Sequence, residues 1–153
     1  MNIVYTPIGH VRNAFPSGRR PPSWRGTTSQ IEVLPQWAPA LDGLADFSHV
    51  LVLCYLHLSP REAPPTRIRP QGNPEMPLVG LFSTRSPHRP NPISLSIVPL
   101  VAVQGAVLQV RDLDMYDGTP VLDIKPHLPG DCPAEAVFPE WVHRLRGRTR
   151  GGA

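Results

Sequence analysis

The segment "SHVLVLCYLHL", residues 48–58, is the most apolar stretch of this 153-residue chain. It is rich in Val and Leu, and neither Gly nor Pro interrupts it, which is typical of a buried central strand. Cys54 fits inside this run as a small apolar side chain. The run is much shorter than the ~20 residues that cross a bilayer. We therefore predict a central strand in a single soluble domain.

Weaker strand patterns lie on both sides of this segment, each bounded by Gly or Pro. The predicted strands are 3–12, 30–34, 78–82, 93–103, 106–115 and 119–126. Two of them flank a Gln-Gly pair and are expected to form a hairpin. The chain also holds 21 Pro, which break helices. About seven short strands with long proline-rich loops predict an all-β barrel or sandwich.

Composition and missing motifs narrow the function classes. The net charge is +3, and the basic side chains are 14 Arg and one Lys. Guanidinium groups bind phosphate and carboxylate in a bidentate way, although arginine-rich codon usage would give the same composition. No GxGxxG, GxxxxGK[ST], HExxH or GxSxG occurs, so the sequence does not support a Rossmann domain, a P-loop, a zincin or an α/β-hydrolase. Neither Cys belongs to a CxxC, and no metal is expected.

Two polar segments stand out against this background. The first, "TRSPHRPNP" at 84–92, carries the donors of two arginines, a histidine and an asparagine between three prolines. The second, "DLDMYDGTPVLDIKP" at 112–126, carries carboxylates around an Asp-Gly turn signal. Each alone is explained by turn chemistry. Together they indicate a ligand site, because a proline-rich loop holds polar groups in place at a low entropic cost.

Four segments resemble one known family. They are "IGHVRNAF" (8–15), "DFSHVLVLCYLHL" (46–58), "GLFSTRSPHRPNPISLS" (80–96) and "LDMYDGTPVLDIKP" (113–126). Over about residues 3–129 the chain is similar to the TsaA-like or TrmO family of S-adenosylmethionine-dependent tRNA methyltransferases. The resemblance implies a small closed or partly open antiparallel β-barrel with a short C-terminal helix. It also implies a homodimer that methylates the exocyclic nitrogen of threonylcarbamoyladenosine beside the tRNA anticodon.

The resemblance also implies site residues. The residues expected to bind S-adenosylmethionine are Pro22, Ser23, Trp24, His57, Leu58, Arg85, Leu95, Met115, Tyr116, Asp117, Gly118 and Thr119. Those expected near the reacting groups are Arg89, Asn91 and Asp117. The family's usual "PRQ" is absent from the first long loop, where this chain has "RRPPSWRG" (19–26). This departure puts the tRNA substrate in question more than the cofactor.

The remaining expectations concern organisation and partners. We expect a barrel domain at 1–140 and a flexible basic tail at 141–153, with the "PEWVHRL" segment forming a helical turn. The chain lacks the order of a signal peptide, so a cytoplasmic protein without membrane or metal is predicted. Two alternatives stay open: a methyltransferase acting on another nucleoside or small molecule, and a barrel that binds RNA without catalysis.

Overall fold

The computed structural model describes residues 2–60 and 62–150, the last five of these by their backbone only. Six strands form a closed antiparallel barrel in the order β1-β2-β7-β6-β3-β8, and β4 pairs with β5 beside it. The strands are β1 Gly9–Arg12, β2 Thr28–Val33, β3 His49–Tyr55, β4 Arg67–Ile68, β5 Val79–Gly80, β6 Ile93–Gln104, β7 Val107–Arg111 and β8 Pro120–Pro126. A helix, α1, covers Glu140–Arg150. The predicted all-β barrel with a short C-terminal helix is confirmed.

Strand β3 is hydrogen-bonded along both of its edges, as its apolar sequence predicts. It pairs with β6 on one side and β8 on the other. Val50, Val52 and Cys54 alternate into the barrel and are fully buried. Each buried aliphatic side chain of this size contributes roughly 1.5–3 kcal/mol relative to an exposed one. The barrel is therefore filled by side chains and has no open channel through these positions.

The two ends of the barrel carry different connections. At one end, which we call the mouth, three long loops join the strands: 13–27 between β1 and β2, 56–92 between β3 and β6, and 112–119 between β7 and β8. At the other end, the floor, two short 3-10 helices, Pro35–Leu41 and Leu44–Asp46, lie between β2 and β3. Both polar segments of the sequence thus reach the mouth.

Four predicted strands are shorter than expected. The strand predicted at 106–115 ends at Arg111, because the chain turns out of the sheet at Asp112, whose φ is 62°. The strand predicted at 78–82 covers only Val79–Gly80, since a 3-10 helix begins at Leu81. β1 begins at Gly9 instead of Ile3, after Pro7, which has no backbone N–H to give to a ladder. β3 ends at Tyr55, opposite Ile93. Pro92 precedes β6 and has no backbone N–H to donate. The last bond between the two segments runs from the Leu56 N–H to the Pro92 carbonyl at 2.7 Å. The ladder stops there, so the prediction that the strand extends through His57 and Leu58 is wrong, and both lie in a turn.

The hairpin between β6 and β7 is confirmed, with Gly105 at φ 59° in its turn. The C-terminal helix continues to Arg150, well past the single turn expected. The predicted boundary between residues 140 and 141 falls in its first turn. Of the tail predicted at 141–153, residues 151–153 lie outside the described residues. None of the helices in the described part of the chain is long and apolar enough to span a membrane.

Candidate cofactor site at the mouth of the barrel

Asn13 connects the first and third mouth loops. Its side-chain amide donates to the Ser29 hydroxyl at 3.0 Å and to the Met115 carbonyl at 2.9 Å. Its side-chain oxygen accepts from the Phe15 N–H at 2.9 Å. One side chain thus binds the start of β2, its own loop and the turn that precedes β8. In the sequence, Asn13 stands out only as part of the segment "IGHVRNAF", so its role was not predicted.

The turn 115–119 is held by hydrogen bonds to β1 and the first mouth loop and by hydrogen bonding within the turn. Asp117 Oδ1 accepts from the Asn13 N–H at 3.0 Å, and the Asp117 N–H donates to the Phe15 carbonyl at 2.8 Å. Gly118, at φ 76°, donates to the Val11 carbonyl. The buried Thr119 hydroxyl donates to the Tyr116 carbonyl at 2.8 Å. The predicted Asp-Gly turn is present, and a carboxylate oxygen of Asp117 is already engaged in holding it.

Three half-buried aromatic rings pack between these two loops. Trp24 lies edge-to-face against Phe15 at 5.4 Å and against Tyr116 at 5.8 Å between ring centroids. Such aromatic pairs add about 0.5–1.5 kcal/mol to their burial. The altered first loop is therefore joined to the predicted cofactor turn through Trp24. A partly exposed cluster of this kind offers a flat ring, such as a purine, a surface to stack on.

The base of the first loop is fixed by Asp112, which sequence reasoning also missed. Its carboxylate accepts from the Gly26 N–H at 2.6 Å, and its own N–H donates to the Thr27 carbonyl at 2.9 Å. Asp112 has a positive φ of 62°, a conformation that Asp tolerates better than most residues. The Thr27 hydroxyl bonds to the Trp24 carbonyl. Trp24 is thereby fixed in position by its own loop.

The second mouth loop is stabilised from within by Arg89. Its guanidinium donates to the Thr84 carbonyl at 2.8 Å, approaches the Ser86 carbonyl at 3.4 Å, and lies 5.6 Å from the Phe82 ring centroid. By contrast, Arg85 is exposed, and no hydrogen bond or ion pair of its side chain is found among the side chains that the structure describes. Arg85 is free to bind a ligand, whereas Arg89 shapes the loop that presents it.

The remaining predicted residues are scattered. Pro22 and Ser23 are exposed, and the Ser23 hydroxyl accepts from the Arg25 N–H. Asn91 is exposed, with its carbonyl accepting from the Ile93 N–H. His57 and Leu58 lie in the turn after β3. The structure therefore brings together Trp24 and the turn 115–119, but it joins none of these five residues to them.

Leu95 and Met115 lie on opposite faces of the sheet. Ser94 and Ser96 face inward, where their hydroxyls reach Met115 Sδ at 3.7 Å and Asp114 at 2.9 Å. Because side chains alternate along a strand, Leu95 between them faces outward, and it is 52% exposed. Within one chain, Leu95 cannot share a pocket with Met115. This separation could not be predicted from the sequence, because both residues belong to motifs that match the family.

Several charged side chains at the mouth already have hydrogen-bond or ion-pair partners. Asp112, Asp114 and Asp117 each accept a hydrogen bond from the loops or from β6. Arg12 pairs with Glu32 at 2.9 Å, and this hydrogen bond, with the carboxylate charge, raises the pKa of Arg12. Inside the barrel, burial raises the pKa of the Cys54 thiol to about 12. No group of three or more His, Cys, Asp or Glu side chains within the described ranges could hold a metal ion.

A closed β-barrel with a polar and aromatic site on its loops is a small-ligand-binding barrel. The chain belongs to the family described as the tRNA-methyltransferase O N-terminal domain, whose model matches residues 10–131. The predicted family is thus confirmed.

Named relatives cover most of the chain. A "Probable S-adenosyl-L-methionine-binding protein" of Methanothermobacter thermautotrophicus is 42% identical over 130 residues, which are 83% of this chain and 91% of the relative. A "tRNA (adenine(37)-N6)-methyltransferase" of Mus musculus is 32% identical over 160 residues, covering 97% of this chain and 36% of the relative. The crystal structure of TrmO from Pseudomonas aeruginosa matches 98% of this chain and 75% of its own at 30% identity, with a TM-score of 0.70.

Proposed function

We propose that this chain transfers the methyl group of S-adenosylmethionine to N6 of threonylcarbamoyladenosine next to the anticodon of tRNA. The coarser predictions, S-adenosylmethionine as cofactor and methyltransferase as enzyme class, are confirmed by the family and by relatives named for both. The nucleoside and its tRNA position are the proposed part. The observation that carries the proposal is the locked pair of mouth loops, with Trp24 between Phe15 and Tyr116.

The residues at the mouth fit the chemical parts of this cofactor. The aromatic cluster suits a purine ring, and the backbone of the turn 115–119 offers carbonyl and N–H groups beside it. Arg85 has a free guanidinium that suits a carboxylate. The cofactor supplies an electrophilic methyl group, so positioning provides much of the rate. Arg89 supports this arrangement by holding the loop of Arg85, and Asn91 lies on the same loop.

Methyl transfer also requires a proton acceptor. The bound cofactor would supply the methyl group, with the electrons of the carbon–sulfur bond staying on sulfur. The nitrogen that takes the methyl group would lose a proton. Asp117 and the carboxylate of the substrate itself are the two candidates. One Asp117 oxygen already accepts from the Asn13 N–H, which leaves the other for the proton. An N–H beside a carbonyl is more acidic than a plain adenine amine, so a strong base is unnecessary.

A homodimer is part of the proposal. The outer face of β3 and β6 exposes apolar side chains: Tyr55, Ile93, Leu95, Ile97 and Val101 are each 38–52% exposed. Contiguous apolar patches of this kind mark interaction surfaces. A second copy on this face would cover Leu95 and would bring groups to the side of the sheet that Met115 cannot reach. This accounts for a predicted cofactor contact on the outer face.

The first test is cofactor binding by calorimetry. We expect micromolar affinity, and Arg85→Ala should weaken it by roughly 1.5–3 kcal/mol, the range for a charge-assisted hydrogen bond. Lys125→Ala, which removes a charge whose partner is Asp123, is the control and should leave the affinity unchanged. No binding at millimolar cofactor would refute the cofactor site.

The second test separates the proposal from its two alternatives. Mass spectrometry of tRNA nucleosides from cells with and without the protein should show loss of the methylated nucleoside in its absence. Activity on free nucleosides but not on tRNA would favour the small-molecule alternative. Salt-dependent tRNA binding without any methyl transfer would favour the RNA-binding barrel. A full complement of methylated nucleoside in cells lacking the protein would refute the proposed substrate.

A further inference from the structure

We propose that a concavity beside the candidate cofactor site is a phosphate-binding subsite for the nucleic-acid substrate. It has a volume of about 330 Å³ and lies on the first mouth loop. Its lining residues are Ala14, Phe15, Gly18, Arg19, Arg20 and Pro21. The inference rests on the proposed function and adds to it the place where the substrate backbone binds.

The two arginines of this concavity are available to bind an anion. No ion pair or hydrogen bond of the Arg19 or Arg20 guanidinium is found among the side chains that the structure describes. The three carboxylates of the 112–119 loop each already accept a hydrogen bond. Two guanidinium groups on one concave surface match a phosphate, because each presents a planar fork of donors. Neither guanidinium is therefore paired with a carboxylate among the described residues.

The loop holds these arginines in a restricted geometry. Prolines precede and follow them, and Pro21 is buried. The Arg19 N–H closes a turn on the Pro16 carbonyl at 3.0 Å, with Gly18 at φ 79° inside it. Further along, Gly26 is bound to Asp112 at 2.6 Å. Little backbone freedom remains to be lost on binding, which favours affinity for an anion.

The concavity and the candidate site share a wall. Phe15 lines the concavity and contacts Trp24, and Trp24 contacts Tyr116 of the cofactor turn. A nucleotide lying across this aromatic cluster would therefore have its own or a neighbouring phosphate within reach of Arg19 and Arg20. The arrangement fits a nucleic-acid strand that enters over the first loop.

The salt dependence of tRNA binding tests this subsite. Binding of a labelled tRNA transcript is measured by fluorescence anisotropy over a series of salt concentrations. Removing one arginine–phosphate contact reduces the magnitude of the negative slope of log affinity against log salt by about one. We expect this magnitude to fall by about one for Arg19→Gln or Arg20→Gln and by about two for the double variant, with at least a tenfold loss of affinity at low salt. Lys125→Gln, the matched loss of charge on β8, should keep the wild-type slope.

The outcomes separate this inference from the proposed function. Wild-type protein that binds and methylates tRNA, with an unchanged slope in the double variant, would overturn the subsite alone. Wild-type binding without any salt response would overturn both. If Lys125→Gln reduced the tRNA affinity and the salt slope as much as the arginine variants do, the RNA would respond to the net charge of the protein, and the local subsite would be overturned. Calorimetry with S-adenosylmethionine should give affinities within twofold of wild type for all variants, which shows that the mouth is intact.

A measurement on the unaltered protein covers the case in which the variants fail to fold. A tRNA transcript, adenosine 5′-monophosphate, inorganic phosphate and adenosine are titrated separately while the backbone amide signals of residues 18–20 are followed by NMR. We expect shifts with the nucleotide and with phosphate but none with the nucleoside. Shifts with inorganic phosphate but none with tRNA would assign the site to free phosphate and would overturn an RNA subsite. If the amide signals of residues 18–20 do not shift in any titration, the RNA subsite is also overturned.

Discussion

At the scale of single residues, the Asn13 side chain forms hydrogen bonds to β2, to its own loop and to the turn 115–119. We predict that Asn13→Ala lowers the free energy of unfolding by about 2–3 kcal/mol, since several hydrogen bonds worth about 1 kcal/mol each are lost. We also predict weaker cofactor binding, because the turn 115–119 loses the hydrogen bond that the Asn13 side chain donates to the Met115 carbonyl.

The control for Asn13 is Asn73. Its side-chain oxygen accepts from the N–H two residues on, as that of Asn13 does, but it holds no second loop. Denaturant unfolding and calorimetry of Asn73→Ala should show a loss below about 1 kcal/mol and unchanged cofactor affinity. If the two variants bind the cofactor equally well, Asn13 has no positioning role.

The two cysteines should differ in reactivity and in their effect on alkaline stability. Cys54 has a pKa of about 12 in the folded chain against 9.0 in the unfolded one. The folded state therefore keeps a proton that the unfolded state loses. This thiol does not affect the free energy of unfolding well below pH 9, and it lowers that free energy by about 1 kcal/mol per pH unit as the pH rises toward 12.

Denaturant unfolding at pH 8 and pH 10 measures this effect. We expect Cys54→Val to reduce the alkaline loss, with exposed Cys132→Val as the control that leaves it unchanged. A thiol reagent at pH 8 should modify Cys132 and spare Cys54. Equal rates for the two thiols would show that the barrel opens readily around β3.

At the scale of the secondary-structure elements, β1 depends on its first residue. A Cβ at Gly9 would overlap the Glu32 carbonyl oxygen, and Val33 lies against the same position on β2. Backbone cannot move aside as a flexible side chain can. We predict that Gly9→Ala lowers the free energy of unfolding by about 1–3 kcal/mol, the usual range for overpacking.

Gly80 provides the matched glycine. It lies in β5 and its φ is not positive. Apart from its two chain neighbours, no heavy atom of the described residues lies within 4 Å of an added Cβ. Gly80→Ala should change the midpoint of urea unfolding little or raise it slightly, because alanine restricts the unfolded chain. A Gly9→Ala variant as stable as Gly80→Ala would contradict the close pairing of β1 with β2.

At the scale of the whole molecule, the outer face of β3 and β6 should hold two copies together. We predict a solution mass of twice 16.9 kDa by light scattering. Leu95→Glu should give monomers, because a carboxylate on each copy would be buried against apolar side chains without a partner. Val137→Glu, at a residue that is 93% exposed and outside the barrel strands, should remain dimeric. A wild-type mass of 16.9 kDa at every concentration would refute the dimer.

The sequence by itself determined the strands, the hairpin, the turn at Asp117 and the family. These depend on local patterns: period-two alternation, apolar runs, Gly and Pro signals, and motifs read along the chain. It misjudged the end of β3, because the limit is set by Pro92 on a different strand. Arg85 and Arg89 were grouped as one set of donors, since the sequence could not show that Arg89 binds the carbonyls of its own loop.

Only the tertiary structure decided which groups meet. Asn13 reaches Met115 across 102 residues of chain, and Asp117 reaches Asn13 across 104. The face on which Leu95 lies was fixed only when β6 took its register beside β3. Hydrogen bonds between distant loops leave no periodic trace in a sequence, because any polar side chain at the right place can form them. The barrel could therefore be predicted, whereas the arrangement of its mouth required closure of the sheet.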